Sequence, residues 1–245
     1  EFRYQLAKEN AAQQIHVKED SVICYNTTGY SRNDYVLVPY DEKVPQGCRF
    51  ADETGILPGT DTEKGILVYV TDIPAYGYKT IQIIKNVDVM EQEDRVSVYD
   101  NVIESPYWRI ELNKNGEIAS LYDKKNSRQV DCGKAMNVFA AFEDKPQRFD
   151  AWDVDVFYRE KPYHAFRLVE QQILEQGERV VIRQSWYFNR SKLFQDMIVY
   201  ANESRIDFET KVDWQEKQVF LKTYFPVDVH SQEATYEIQY GNIKR

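Results

Sequence analysis

Three features of the 245-residue chain predict an all-β fold. Apolar and polar residues alternate over short runs, which is the period of a strand with one buried face. Aromatic residues reach 14%, with 18 Tyr, 12 Phe and 4 Trp, and with the β-branched residues they suit the pleated surface of a sheet. Clusters of Asn, Gly and Pro separate the runs and supply turns. The pattern divides into a short N-terminal helix over 1–16, a small β-sandwich over 17–92 and a large antiparallel sandwich over 93–245.

Taken in order, Phe2–His16 carries Phe2, Leu6, Ala7 and Ile15 among Lys, Glu and Gln, the spacing of an amphipathic helix without a clear N-cap. The period then changes to two. SVICYN, DYVLVPY, GILVYVTDI and YKTIQIIKNVDV read as strands, and the acidic run Glu91–Asp94 reads as a linker or hairpin tip. A second series opens with SVYDNVIES and YWRIELNKNGEIASLYD, in which Asn113-Lys114-Asn115-Gly116 sits between two alternating runs. Asn-Gly adopts positive φ readily, so this is the clearest hairpin signal in the chain. AFRLVEQQILEQ, ERVVIRQSWYFN, KLFQDMIVYAN, SRIDFETKVDW and QVFLKTYFPVDV continue the series. After the final ATYEIQYGNIKR a large sandwich still lacks partner strands, so a truncated domain with an open edge prone to self-association is expected.

Composition removes several function classes. A net charge of −9 without any Lys/Arg cluster argues against a nucleic-acid partner and against anionic membranes. No run is long and apolar enough to span a bilayer as a helix. Cys24, Cys48 and Cys132 are odd in number and far apart, which fits a reducing, cytoplasmic compartment better than a disulfide framework. His16, His164 and His230 share no metal-ligand spacing, and no Gly-rich phosphate loop, G-x-S-x-G elbow or C-x-x-C occurs.

The most informative segment is FEDKPQRFDAWDVDVFY, Phe142–Tyr158, which sets Glu143, Asp144, Asp150, Asp153 and Asp155 among aromatics and a proline. Carboxylates accept hydrogen bonds from hydroxyls and aromatic faces stack on sugar rings, so the segment suits carbohydrate recognition. It equally suits an acidic, solvated loop whose aromatics are tucked into the core. On a strand, Asp153 and Asp155 would share a face at about 6–7 Å between α-carbons. Glycosidase carboxyl pairs stand roughly 5–9.5 Å apart, so that spacing is compatible with catalysis without being diagnostic. Asp150 and Asp153 could instead shape the loop through Asx turns. Trp108 and Trp186 lie inside alternating strands and read as core or sheet-face residues, and Trp214 reads as a core or corner residue.

SPYWRIELNKNGEIASLYDKKNSRQV, then FEDKPQRFDAWDVDVFY, then DFETKVDWQEKQVFLKTYFPVDV, then ATYEIQYGNI together resemble glycoside hydrolase family 38 α-mannosidases. The similarity is to the portion that follows the catalytic domain and leans toward the cytosolic and bacterial branch. It implies that residues 1–16 end a helical bundle, that 17–92 form the small β-domain, and that 93–245 begin a galactose mutarotase-like supersandwich. It also implies a retaining exo-α-mannosidase acting on terminal mannose, with zinc or another divalent metal in a separate catalytic domain. The nucleophile and metal motifs of that family, H-x-D and H-H-D, do not occur in this sequence. No catalytic residue, metal ligand or cofactor is therefore assigned to this chain. Asp150, Trp152 and Asp153 are the candidate substrate-binding residues, on a loop that would wall the mannose pocket or pack on the catalytic domain. The reading from another class is a stand-alone carbohydrate-binding module.

Overall fold

The structure is a computed structural model that describes residues 9–85, 95–150 and 152–245. The chain divides into two compact units, one over 1–93 and one over 94–245, each built on its own apolar core. Residues 9–13 are helical, and i→i−3 bonds from Gln14 to Ala11 and from Ile15 to Ala12 close the helix short of the predicted His16. The remainder of that predicted helix, residues 2–8, lies outside the described residues. No described helix is long and apolar enough to cross a membrane.

The first unit contains β1 (Ser21–Asn26), β2 (Arg32–Pro39), β3 (Arg49–Asp52), β4 (Gly55–Ile56), β5 (Gly59–Thr62), β6 (Gly65–Ile73) and β7 (Gly77–Ile84). One sheet runs β1-β7-β3-β4 and the other β2-β6-β5. Cys24, Phe50, Ile81 and Ile83 from the first sheet meet Val38, Ile66, Val68 and Val70 from the second in one buried cluster, which makes a sandwich. β7 ends at Ile84, so the predicted continuation through NVDV falls on residues outside the described set. Charges at the sheet margin are paired: the fully buried Asp52 carboxylate receives Lys79 Nζ at 2.6 Å.

The second unit opens with β8 (Ser97–Tyr99) and β9 (Val102–Glu104), so SVYDNVIES is two strands rather than one. Asp100, at φ 54°, turns the chain between them. There follow β10 (Trp108–Leu112), β11 (Ile118–Asp123), β12 (Arg128–Gln129), β13 (Val138–Glu143), a single 3₁₀ turn at Tyr158–Glu160, β14 (Arg167–Glu175), β15 (Arg179–Phe188) and β16 (Ser191–Tyr200). β17 (Ile206–Asp213), β18 (Val219–Tyr224), β19 (Thr235–Ile238) and β20 (Gly241–Lys244) complete the series. β13 lacks the alternation of its neighbours because Phe139, Ala141 and Phe142 are all buried, on both faces of the strand.

Packing in this unit follows from one face of β15 and β16. Val180, Ile182, Gln184, Trp186 and Phe188 on β15, and Ser191, Leu193, Gln195, Met197 and Val199 on β16, are all at most 2% exposed. At one end this face meets Ile103, Ile110, Leu112, Ile118 and Leu121 of the β12-β11-β10-β9-β8 sheet. At the other end it meets Phe139, Ala141 and Leu221 of the two-stranded β13-β18 ribbon. Between the two cores runs a polar rung in register across four strands, Gln171–Gln184–Gln195–Thr210. Gln184 Nε2 donates to Gln171 Oε1 at 2.8 Å and Gln195 Nε2 to Thr210 Oγ1 at 2.8 Å.

The Asn113–Gly116 hairpin is docked on this rung. Gln184 Nε2 donates to the Gly116 carbonyl at 2.7 Å and Trp186 Nε1 to the Asn115 carbonyl at 3.0 Å. Gly116 sits at φ +75°, and a β-carbon there would lie 2.5 Å from Gln184 Nε2. Gly133 has the same φ with nothing within 4 Å of a β-carbon. Gly116→Ala should therefore cost about 2–4 kcal/mol in urea unfolding, against about 1–2 kcal/mol for Gly133→Ala, which carries the backbone strain alone. Equal costs would show that the hairpin tip does not press on Gln184.

Candidate functional site

The Phe142–Tyr158 segment divides into an anchored base and an exposed tip. Phe142 and Glu143 belong to β13, and none of the described residues between 144 and 157 lies in a strand. Asp153 and Asp155 consequently lack the strand geometry that would set them on one face; a turn is favoured because Asp155 caps its own segment, accepting the Phe157 amide at 2.9 Å. At the tip the Phe149 carbonyl accepts both the Trp152 amide at 2.7 Å and the Asp153 amide at 2.9 Å, with Phe149 itself at φ 60°. This turn brings the three predicted residues Asp150, Trp152 and Asp153 to one exposed loop end. Trp152 is 86% exposed, and Phe149, Val156 and Phe157 around it are exposed as well. The aromatics thus separate: Phe142 is buried, Tyr158 is half-buried, and the rest present apolar surface to solvent.

The base of the loop is held by backbone bonds to β13 and to Gln218, the residue before β18. Glu143 N donates to Lys161 O at 3.0 Å, Tyr163 N to Ala141 O at 2.9 Å, and Asp144 N to Gln218 O at 2.9 Å. Glu143 receives Lys145 and Lys161, each at 2.8 Å, and these two cations hold its carboxyl down at about 2. It is therefore a structural anion, not a proton donor near neutrality.

A cation–aromatic cluster that sequence reasoning did not single out stands beside this base. On β18, Phe220, Lys222 and Tyr224 alternate onto the face opposite Leu221, which packs into the core. Tyr158 stacks edge-on against Phe142 and Phe220, each at 5.2 Å between ring centroids. Lys222 Nζ lies 4.9 Å from the Tyr158 ring centre, 5.6 Å from Phe220 and 5.5 Å from Tyr224. It also donates to Tyr158 Oη at 2.6 Å, while Arg159 Nε donates to the same oxygen at 3.2 Å. Hydrogen bonds from Arg159 and Lys222 favour the phenolate and bring Tyr158 down to about 8. The available signal was the F-x-K-x-Y spacing in QVFLKTYF, which puts a lysine between two aromatics on one strand face.

Trp186 is buried in the core as predicted, Trp108 lies half-buried on β10, and Trp214 stacks parallel to Phe188 with centroids 6.0 Å apart. Among the described residues no group of three or more His, Cys, Asp and Glu side chains converges as metal ligands. What the loop can do is bind: a rigid base, a solvent-facing indole and two carboxylates suit a polyhydroxylated ligand or a protein surface.

Comparison with known proteins gives this fold and loop a family. Residues 103–245 match the Glycosyl hydrolases family 38 C-terminal domain, and the chain belongs to that family. It is 33% identical over 156 residues to Alpha-mannosidase G of Dictyostelium discoideum, covering 60% of this chain and 14% of that protein. It is 33% identical over 165 residues to Alpha-mannosidase 2C1 of Homo sapiens, covering 64% of this chain and 15% of that protein. Alpha-mannosidase of Saccharomyces cerevisiae is 28% identical over 123 residues, which is 44% of this chain and 11% of the relative. The chain therefore spans about one seventh of the length of the first relatives it matches.

The depressed Tyr158 titration has a direct consequence. A phenol that titrates lower in the folded state adds stability that is fully present above its unfolded value of about 10 and is lost as pH falls through about 8. The ultraviolet difference titration of the native chain against Tyr158→Phe should show a phenolate step with its midpoint near 8. A single step near the ordinary tyrosine value would mean that Lys222 and Arg159 do not hold the hydroxyl.

Proposed function

We propose that this chain is the non-catalytic β-rich portion of an α-mannosidase, and that its Phe142–Tyr158 loop forms one wall of the mannose pocket. Membership of the family 38 C-terminal domain carries the reading, together with an exposed loop end holding Asp150, Trp152 and Asp153. An indole offers an apolar face to sugar C–H groups, and two carboxyl side chains accept from sugar hydroxyls. The parent reaction in this reading is hydrolysis of terminal non-reducing α-D-mannosyl linkages with retention. The nucleophile and a divalent metal, zinc by resemblance, belong to a catalytic domain on which this portion packs. A cytoplasmic location fits the three cysteines, none of which forms a disulfide. The larger unit is read as part of a mutarotase-like supersandwich.

Binding, anchoring and chemistry are separable by experiment. In the full-length enzyme, Trp152→Ala should raise KM for an aryl α-mannoside about tenfold, the loss of roughly 1.4 kcal/mol of ring contact. The thermal midpoint and kcat should hold. An unchanged KM with a lowered midpoint would assign the loop to domain packing instead. The isolated chain, supplied with zinc, should not turn over the same substrate; turnover abolished by changing Asp153 would overturn the non-catalytic assignment.

A further inference from the structure

A groove of about 650 Å³ lies on the second unit, away from the loop. It lies on the outer face of the β14-β15-β16-β17 sheet, opposite the buried Gln184 and Gln195, and reaches Thr210 on β17. Register builds it. Arg183 on β15 pairs with Asp196 on β16, which pairs with Glu209 on β17. In the next outward row Glu170 pairs with Ser185, Ser185 with Phe194, and Phe194 with Lys211. Alternation along the strands puts both rows on the same face.

The depression arises because Ser185, the smallest of these side chains, stands at the centre of larger neighbours. It is 7% exposed, whereas Phe194 beside it leaves 36% of its surface to solvent. Arg183 and Asp196 form a two-pronged pair across the floor, Nε to Oδ1 at 2.8 Å and Nη2 to Oδ2 at 2.6 Å, which fixes both side chains before any ligand arrives. Ordered, paired charges and an aromatic ring around a hollow of this size match a small-molecule site, for which volumes of about 300–1,000 Å³ are usual.

Charge selects the ligand class. Glu170, Asp196 and Glu209 stand against Arg183 and Lys211, so neither an anion nor a polycation finds a matching field. Alternating acceptors and donors beside a ring face suit a ligand that is neutral, rich in hydroxyls and apolar on its C–H faces. We propose that this groove is a second carbohydrate-binding site, for a neutral oligosaccharide, centred on Ser185 and Phe194 with the Arg183–Asp196 pair as its polar floor. It shares no residue with the Phe142–Tyr158 loop and does not depend on the role given to that loop.

The test is titration of the isotopically labelled chain with α-mannobiose, followed by amide chemical shifts, with mannose 6-phosphate as the anionic control. Shifts should centre on Ser185, Phe194 and Glu209 and saturate at roughly millimolar sugar, the weak end of specific binding. Phe194→Ala, which removes a side chain that is already partly exposed, and Arg183→Gln should each weaken binding about tenfold. Trp152→Ala should leave it within about twofold, so failure of the loop assignment would be seen separately from failure of the groove. The proposal is overturned if the folded chain shows no groove shifts at tens of millimolar sugar, on the order of the weakest affinities worth calling specific. It is equally overturned if only the phosphorylated sugar binds, or if both groove variants bind as well as the native chain.

Discussion

The larger unit depends on the rung Gln171–Gln184–Gln195–Thr210, whose side-chain hydrogen bonds tie β14 to β15 and β16 to β17. The inner faces of β15 and β16 are otherwise apolar over most of their length. Hydrophobic alternation excludes a one-residue slip, which would turn every core side chain outward. It does not exclude a two-residue slip, which keeps each face. A slip of β14 along β15 would take Gln171 from Gln184, and a slip of β17 along β16 would take Thr210 from Gln195, each losing a hydrogen bond of roughly 0.5–1.5 kcal/mol. The rung thus supplies the specificity that alternation lacks. Asn137 Nδ2 extends it by donating to Gln195 Oε1 at 2.7 Å.

The rung is not a net source of stability by itself. The Asn137 Oδ1 and Gln184 Oε1 atoms are buried without a hydrogen-bond partner among the described residues, and that offsets part of what the other bonds contribute. Its effect is positional. It sets the end of the Ile110–Met197 core and the start of the Trp186–Phe188 core, and it receives the β10–β11 hairpin tip through Gly116. Alternation puts Arg183, Ser185, Phe194 and Asp196 on the outer face, and the rung helps set which outer-face residues of β14 and β17 stand beside them.

The second core then orients the candidate loop. Phe139 and Ala141 face Trp186 and Phe188, so β13 and β18 are pressed down as a ribbon, and the opposite side of that ribbon carries Phe142, Phe220, Lys222 and Tyr224. Tyr158 closes over that side and ends the loop. A firm base and an exposed tip are what a recognition loop requires, because ordering costs are met by folding rather than by binding.

Much of this was legible in the chain itself. Val180 to Phe188 and Leu193 to Val199 alternate cleanly, Asn-Gly marks the β10–β11 hairpin, and the order of the acidic–aromatic and VDW-to-TYFPV segments carries the family resemblance. These are local properties, set by side-chain period and by the φ a turn demands. β13 was hidden because both of its faces are buried, which erases the alternation that reveals a strand. The split of the loop aromatics, with Phe142 inside and Trp152 outside, was equally closed to sequence. So were the Lys222 cluster and the groove at Ser185. Each joins residues dozens of positions apart, through the pairing of β13 with β18 and of β14 through β17. Sequence alone determined the alternating strands and their turns; tertiary structure decided which faces meet, because cross-strand register is a property of the assembled sheet and not of any one segment.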